Sequence, residues 1–231
     1  MKFLRNFLVF ALILAMFSST AIIAQVSAAS ITGTVTIIQH PSIIAFPTSG
    51  PGESKLVLVG SNFAPDQKIR ITFVGSNMHS DLLGMTTADS TGAFAKLVTV
   101  PAKVYPGSYT IYSENKHVRL ASASFVVPFP TLTINPAHGA NGDTVTVTGS
   151  NFALNRGVDI FIGNNITHHV KHVGEVKTDD VGSFTTQIKI PSDISSGVYL
   201  ISARENANRS VYAAAPFDVV STSTFTITPS K

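Results

Sequence analysis

The residues best suited to chemistry are His168, His169, His172 and Glu175, which lie within one short polar stretch. Imidazole nitrogens suit zinc, copper and nickel, so the cluster invites a metal-site reading. Adjacent side chains on a strand point to opposite faces, so His168 and His169 can share a metal only in a loop. There is no His-Glu-x-x-His pattern, and nothing equivalent occurs earlier in the chain. The expectation is a solvated loop or edge strand without a cofactor, with His168, His169 and His172 as the metal candidates.

Asp89-Ser90-Thr91-Gly92 and Asp179-Asp180-Val181-Gly182 offer carboxylates beside glycines. Calcium takes about six to eight oxygens, and each loop supplies only one or two carboxylates. An Asp-capped turn closed by a positive-φ glycine accounts for both. Asn165-Ile166-Thr167 and Asn208-Arg209-Ser210 are acceptor sequons, which make Asn165 and Asn208 glycosylation candidates in polar connecting stretches. Catalysis has no comparable support. Serine is plentiful, but no Gly-x-Ser-x-Gly elbow occurs and no carboxylate pair stands near a histidine. The chain reads as a non-enzyme.

Composition agrees with that reading. Cysteine is absent, which excludes disulfide staples, a thiol nucleophile and cysteine-based metal sites. Over 231 residues, 44% are hydrophobic and only 13% charged, which excludes a disordered polyelectrolyte and a nucleic-acid binder with a basic face. Residues 1–28 read as a secretory signal peptide: Lys2 and Arg5, an apolar run from Phe7 to Phe17, then Val26-Ser27-Ala28 at the cleavage position. An uncleaved anchor is the alternative, because Phe7 to Ala24 reaches spanning length. Without Lys2 and Arg5 the basic count is 14 against 13 acidic, so net charge says little about partners.

An internal duplication sets the organisation. Gly60-Ser61-Asn62-Phe63-Ala64 recurs as Gly149-Ser150-Asn151-Phe152-Ala153, an offset of 89. Asp89, Gly92, Phe94, Pro101, Gly107 and Tyr109 recur at 90 as Asp179, Gly182, Phe184, Pro191, Gly197 and Tyr199. The offset changes only in polar stretches, where insertions belong to loops. The expected organisation is a leader at 1–28, an extended segment at 29–41, a first repeat at 42–128, a linker at 129–130, a second repeat at 131–221 and a strand-like tail at 222–231. The stiff Pro128-Phe129-Pro130 link should set the repeats end to end.

Within each repeat the apolar residues alternate with period two. Val145 and Val147 point one way; Val158, Ile160 and Ile162 form the next inward set, matched by Ile69, Ile71 and Phe73. Turn signals fall between the runs, and the mature chain has no convincing amphipathic helix. About six or seven short strands per repeat predict an all-β fold, two tandem sandwiches of antiparallel sheets. Tyr109 and Tyr199, each just past a turn glycine, suit tyrosine corners.

The run Asn135-Pro136-Ala137-His138-Gly139-Ala140-Asn141-Gly142-Asp143-Thr144-Val145-Thr146-Val147-Thr148-Gly149-Ser150-Asn151-Phe152 resembles the opening of an IPT/TIG domain. The first repeat departs from it at Phe46-Pro47-Thr48-Ser49-Gly50-Pro51-Gly52 but keeps Gly60 and Phe63. The resemblance implies an immunoglobulin-like fold, as in tandem repeats of exported microbial surface proteins, and carries no active site across. Physically, the glycines ahead of the strand permit positive φ. Gly60 and Gly149 after it suit a bulge that turns Phe63 or Phe152 into the core.

Two functions stay open on these residues. One is a structural or adhesive cell-surface protein; the other is a module binding glycans or other surface proteins through sandwich-end loops. Exposed aromatic residues would favour glycan, and Tyr105, Tyr112, Tyr212 and Phe129 are the few on offer. Val57 and Val59 stand where the second repeat has Thr146 and Thr148, so their face is expected to lie under another segment or chain. Residues 31–38 read as an extra strand, and Phe225-Thr226-Ile227-Thr228-Pro229 repeats Leu132-Thr133-Ile134-Asn135-Pro136 at an offset of 93. Strand addition between subunits would occupy both ends; frayed or folded-back tails are the alternative.

Overall fold

A computed structural model describes residues 39–76, 79–164 and 170–221. The leader, the strand expected at 31–38, Asn165, His168, His169 and the tail at 222–231 lie outside the described residues. Those described belong to one compact unit, Gln39–Lys231. Among the described residues no helix is long and apolar enough to cross a membrane.

The fold is all-β and immunoglobulin-like. Its first part contains β1 (Ser42–Phe46), β2 (Lys55–Ser61), β3 (Lys68–Gly75), β4 (Ser80–Thr87), β5 (Phe94–Thr99), β6 (Gly107–Asn115) and β7 (Val118–Val127). They form one sheet in the order β1-β2-β5 and another in the order β4-β3-β6-β7. The second part contains β8 (Thr131–Asn135), β9 (His138–Ala140), β10 (Thr144–Ser150), β11 (Gly157–Gly163), β12 (Val170–Lys177), β13 (Phe184–Lys189), β14 (Gly197–Glu205) and β15 (Tyr212–Val220). Its sheets run β8-β10-β13 and β12-β11-β14-β15-β9.

Alternation along the strands builds a core inside each sandwich. Leu56, Leu58, Ile69, Ile71, Phe73 and Phe125 are buried in the first. Val145, Val147, Val158, Ile160, Ile162 and Phe217 are buried in the second. The two clusters share no residue, so each sandwich has its own apolar driving force.

The pairing is not wholly antiparallel. β9 runs parallel to β15, and Ser49 makes a parallel bridge to Val126 in the first sandwich. In each, the chain leaves the first sheet at a cis proline, Pro47 or Pro136, and continues alongside the last strand of the other sheet. Proline has no N–H for the ladder, so the first pairing stops there. The direction of travel is kept, and the new pairing is therefore parallel.

The repeated Gly-Ser-Asn-Phe-Ala motif works differently from its sequence reading. β2 and β5 pair regularly through Gly60 opposite Phe94, and β10 and β13 through Gly149 opposite Phe184. There is no bulge at either glycine. A Cβ on Gly60 or Gly149 would lie 2.1 or 2.2 Å from the facing phenylalanine ring. The glycine makes room for an aromatic. The turn that sends Phe63 and Phe152 inward comes from Asn62 and Asn151, with φ of 63° and 64°, a region asparagine enters more readily than most residues. Phe63 then packs on Phe94 at 5.4 Å between ring centroids, and Phe152 on Phe184 at 5.5 Å.

Candidate functional site

The distinctive polar construction among the described residues lies where the sandwiches meet. Loops between β1 and β2 and between β5 and β6 face loops between β10 and β11 and between β14 and β15. Among the described residues, two hydrogen bonds and an ion pair cross the junction. Leu154 N–H donates to the Gly52 carbonyl at 3.2 Å. Asn208 Nδ2 donates to the Val104 carbonyl at 3.3 Å. Arg156 forms an ion pair with Glu53. Close packing accompanies them: a Cβ on Gly52 would meet the Ala153 methyl at 3.3 Å, and one on Gly182 would meet Pro51 at 3.3 Å.

The loop carrying Arg156 is rewired relative to its counterpart. In the first sandwich Gln67 sits at this position, and its side-chain oxygen accepts the Ala64 N–H at 3.0 Å. Its own N–H donates to the Ala64 carbonyl at 3.1 Å. With arginine at 156 the matching Ala153 N–H loses that acceptor, and Glu205 of β14 supplies one at 2.6 Å. The Thr178 hydroxyl enters the backbone turn, accepting from Arg156 N–H at 2.9 Å and donating to the Ala153 carbonyl at 2.6 Å. The first sandwich has Asn115 and Ala88 where these residues stand. The changes at 156, 178 and 205 together free one guanidinium to reach the other sandwich.

Glu205 is 2% exposed. Burial pushes its carboxyl above the ordinary range, while the Ala153 N–H and the Arg156 charge pull it part of the way back. On the opposite side, Glu53 holds φ at 69° where the second sandwich has Gly142 at 89°. Left-handed backbone costs a side-chain-bearing residue about 1–2 kcal/mol. Glutamate stands at that strained position and carries the ion pair. Exposed pairs contribute about 1 kcal/mol or less, so the junction is held by the set of contacts.

These residues were not singled out from sequence. The available signal was the mismatch between aligned repeats: Glu53 against Gly142, Gln67 against Arg156, Ala88 against Thr178, Asn115 against Glu205.

The residues that sequence did single out fall elsewhere. His172 lies on β12, with Nε2 3.3 Å from Asp159 Oδ1 and its ring edge-on to Phe161 at 5.3 Å. The Arg204 guanidinium lies over Phe161 at 5.6 Å, so this ring is already flanked by protein groups. Among the described residues no group of three or more His, Asp or Glu converges as a metal site would need. Asp89 Oδ1 accepts the N–H groups of Thr91 and Ala93 and the Thr91 hydroxyl, which hold its carboxyl below the ordinary range. Asp179 Oδ1 accepts from Val181 and Ser183 N–H at 3.0 and 2.8 Å. Each turn ends on a glycine whose carbonyl takes the N–H of Phe63 or Phe152, so the two repeated motifs brace each other. The Tyr109 and Tyr199 hydroxyls donate to the carbonyls of Tyr105 and Ser195, each at 2.9 Å. Asn208 lies in the connection between β14 and β15. It is 9% exposed, and its amide nitrogen is engaged in the junction.

No protein-family model and no curated protein matches the chain. Solved structures do. A tetra-tandem repeat from the extending region of a large adhesion protein is 15% identical, covering 78% of this chain and 48% of its own, with a TM-score of 0.33. Red sea bream transglutaminase is 12% identical over 79% of this chain and 31% of its own, with a TM-score of 0.34. Salmonella alpha-2-macroglobulin reacted with methylamine is 12% identical over 78% and 15%, with a TM-score of 0.30. The chain spans less than half the length of each of these structures. Likeness at this level carries no activity, substrate or partner to the present chain.

Proposed function

We propose that this is a non-catalytic, exported cell-surface protein whose paired immunoglobulin-like domains, of IPT/TIG type, act as a fixed-geometry structural or adhesive spacer. The observation that carries this reading is the rewired junction, in which Arg156, Thr178 and Glu205 depart from the first sandwich's pattern and Arg156 reaches Glu53. Fixing two domains at a loop-to-loop contact serves a part that holds or transmits position. The apolar leader at 1–28 supports export, and the motif from Pro136 to Phe152 supports the domain type. Immunogold labelling of intact producing cells, run beside a glycan array probed with the full chain, tests the proposal. Surface label without a specific glycan is the expected result. Confinement to the cytoplasm, or selective capture of one glycan class, overturns it.

A further inference from the structure

The outer face of the β1-β2-β5 sheet is apolar in a way its fold does not require. Register places Ile44 beside Val59 and Val59 beside Ala95 in one row. Phe46, Val57 and Leu97 form the next. Ile44, Phe46 and Leu97 are 43%, 53% and 59% exposed, and Val57 and Val59 are half-buried. The described residues therefore do not supply the cover expected for Val57 and Val59. In the second sandwich the same grid reads Thr133, Thr148, Thr185 and then Asn135, Thr146, Gln187. Identical pairing tolerates a polar face, so the apolar rows answer to something outside the sandwich. Grouped exposed apolar side chains mark interaction surfaces more often than scattered ones.

We propose that this face is a self-association surface, docking onto the same face of a second copy of the chain. A flat sheet face is matched by another packed about 10 Å away. No other sheet among the described residues presents an apolar, uncharged one. The β4-β3-β6-β7 face carries Arg70, Glu114 and Arg119, and the β12-β11-β14 face carries Asp159, Glu175 and Arg204.

Charge and size select the symmetry. The rows end at the Ser42–Ser61 hydroxyl pair, 2.8 Å apart, on one side and at Lys55 beside Thr99 on the other. A two-fold axis lying between the sheets and across the strands turns one copy end for end. Lys55 then faces the serine hydroxyls of the other copy rather than its own counterpart. The same operation sets Phe46 over Ile44, Val57 over Val59 and Leu97 over Ala95, larger against smaller. Each contact occurs twice, as a two-fold interface demands. A three-stranded face covers about 300 Å² from strand spacing and rise, short of the roughly 800 Å² per partner of a stable complex. The association is accordingly weak in solution and gains from crowding on a surface.

Analytical ultracentrifugation of the full chain over a roughly hundredfold concentration range tests this. The expected result is a reversible monomer–dimer equilibrium weakened at least about tenfold by Val57→Thr, Val59→Thr and Leu97→Gln together. These changes install the second sandwich's own residues. Leu97→Lys alone, at an exposed position, is the second variant in case the triple one fails to fold. Hydroxyl-radical footprinting should show Phe46 and Leu97 protected only as dimer forms. A strict monomer, a dimer indifferent to both variants, or protection already present in the monomer, which would give the face to a segment of the same chain, overturns the proposal. Any of these leaves the spacer reading standing, since that rests on the junction.

Discussion

Glu53 and Arg156 are 103 residues apart in the chain and form an ion pair between the two sandwiches. Each stands where the other repeat has a residue unable to make the contact, glycine at 142 and glutamine at 67. Glu53 does so from left-handed backbone, a conformation that favours glycine.

Glu53→Gly is expected to separate domain stability from domain coupling. Glycine relieves the positive φ, so the first sandwich should keep its stability or gain about 1 kcal/mol. The ion pair disappears, and the sandwiches should reorient more freely. Thermal melts and residual dipolar couplings read the two effects separately. Couplings that still fit one rigid body would show that backbone and packing contacts hold the junction alone.

Gly92→Ala and Gly182→Ala should each destabilise their sandwich by about 2–4 kcal/mol. Both glycines have positive φ, 79° and 78°. An added Cβ would lie 2.1 Å from the Phe63 or Phe152 carbonyl oxygen. Gly107→Ala is the comparison: its φ is 147°, but a Cβ there meets nothing within 4 Å. Denaturant unfolding should rank Gly107→Ala well below the other two. Equal losses would mean that backbone strain alone sets the cost.

The strands and cores were legible because period-two alternation and a two-copy repeat gave independent readings of the same positions. Leu56 and Leu58 could be checked against Val145 and Val147 before any geometry was known. The aromatic turn was half legible. Gly60 was visible, but its role depends on the Phe94 ring across the sheet, and the left-handed residue is Asn62. The parallel strand β9 was hidden because three residues are too few for a period. The junction was hidden for a different reason. Arg156, Thr178 and Glu205 act through partners brought close by folding, and no local pattern announces them. Sequons and histidines were conspicuous because they match short motifs. At Asn208 the motif occurs where tertiary packing has taken the nitrogen.

Glycopeptide mapping of native protein should therefore find Asn208 bare. A glycan would take one of the two Nδ2 hydrogens and place a sugar in a buried contact beside the Val104 carbonyl. Asn208→Ala should leave each sandwich folded while increasing motion between them, measured by amide relaxation. Full occupancy at Asn208 in protein with an intact junction would contradict the arrangement.

Glu205→Gln should raise the melting temperature of the second sandwich at pH 7. Burial raises the folded-state pKa of Glu205 above its unfolded value. The native form therefore holds its proton to higher pH than the unfolded chain does. Across the window from the ordinary carboxyl value up to the raised one, stability falls as pH rises. Above that window the full cost of the buried charge is present; below the ordinary value it is absent. Glutamine keeps an oxygen for the Ala153 N–H and has no charge to bury. The variant's advantage should be largest at neutral pH and vanish once the wild-type carboxyl is protonated in both states. Melts of both proteins between about pH 4 and 8 read the trend, and the second sandwich's transition must be resolved from the first. A lower melting temperature for Glu205→Gln at pH 7 would mean that attraction to Arg156 and the charged hydrogen bond to Ala153 outweigh burial.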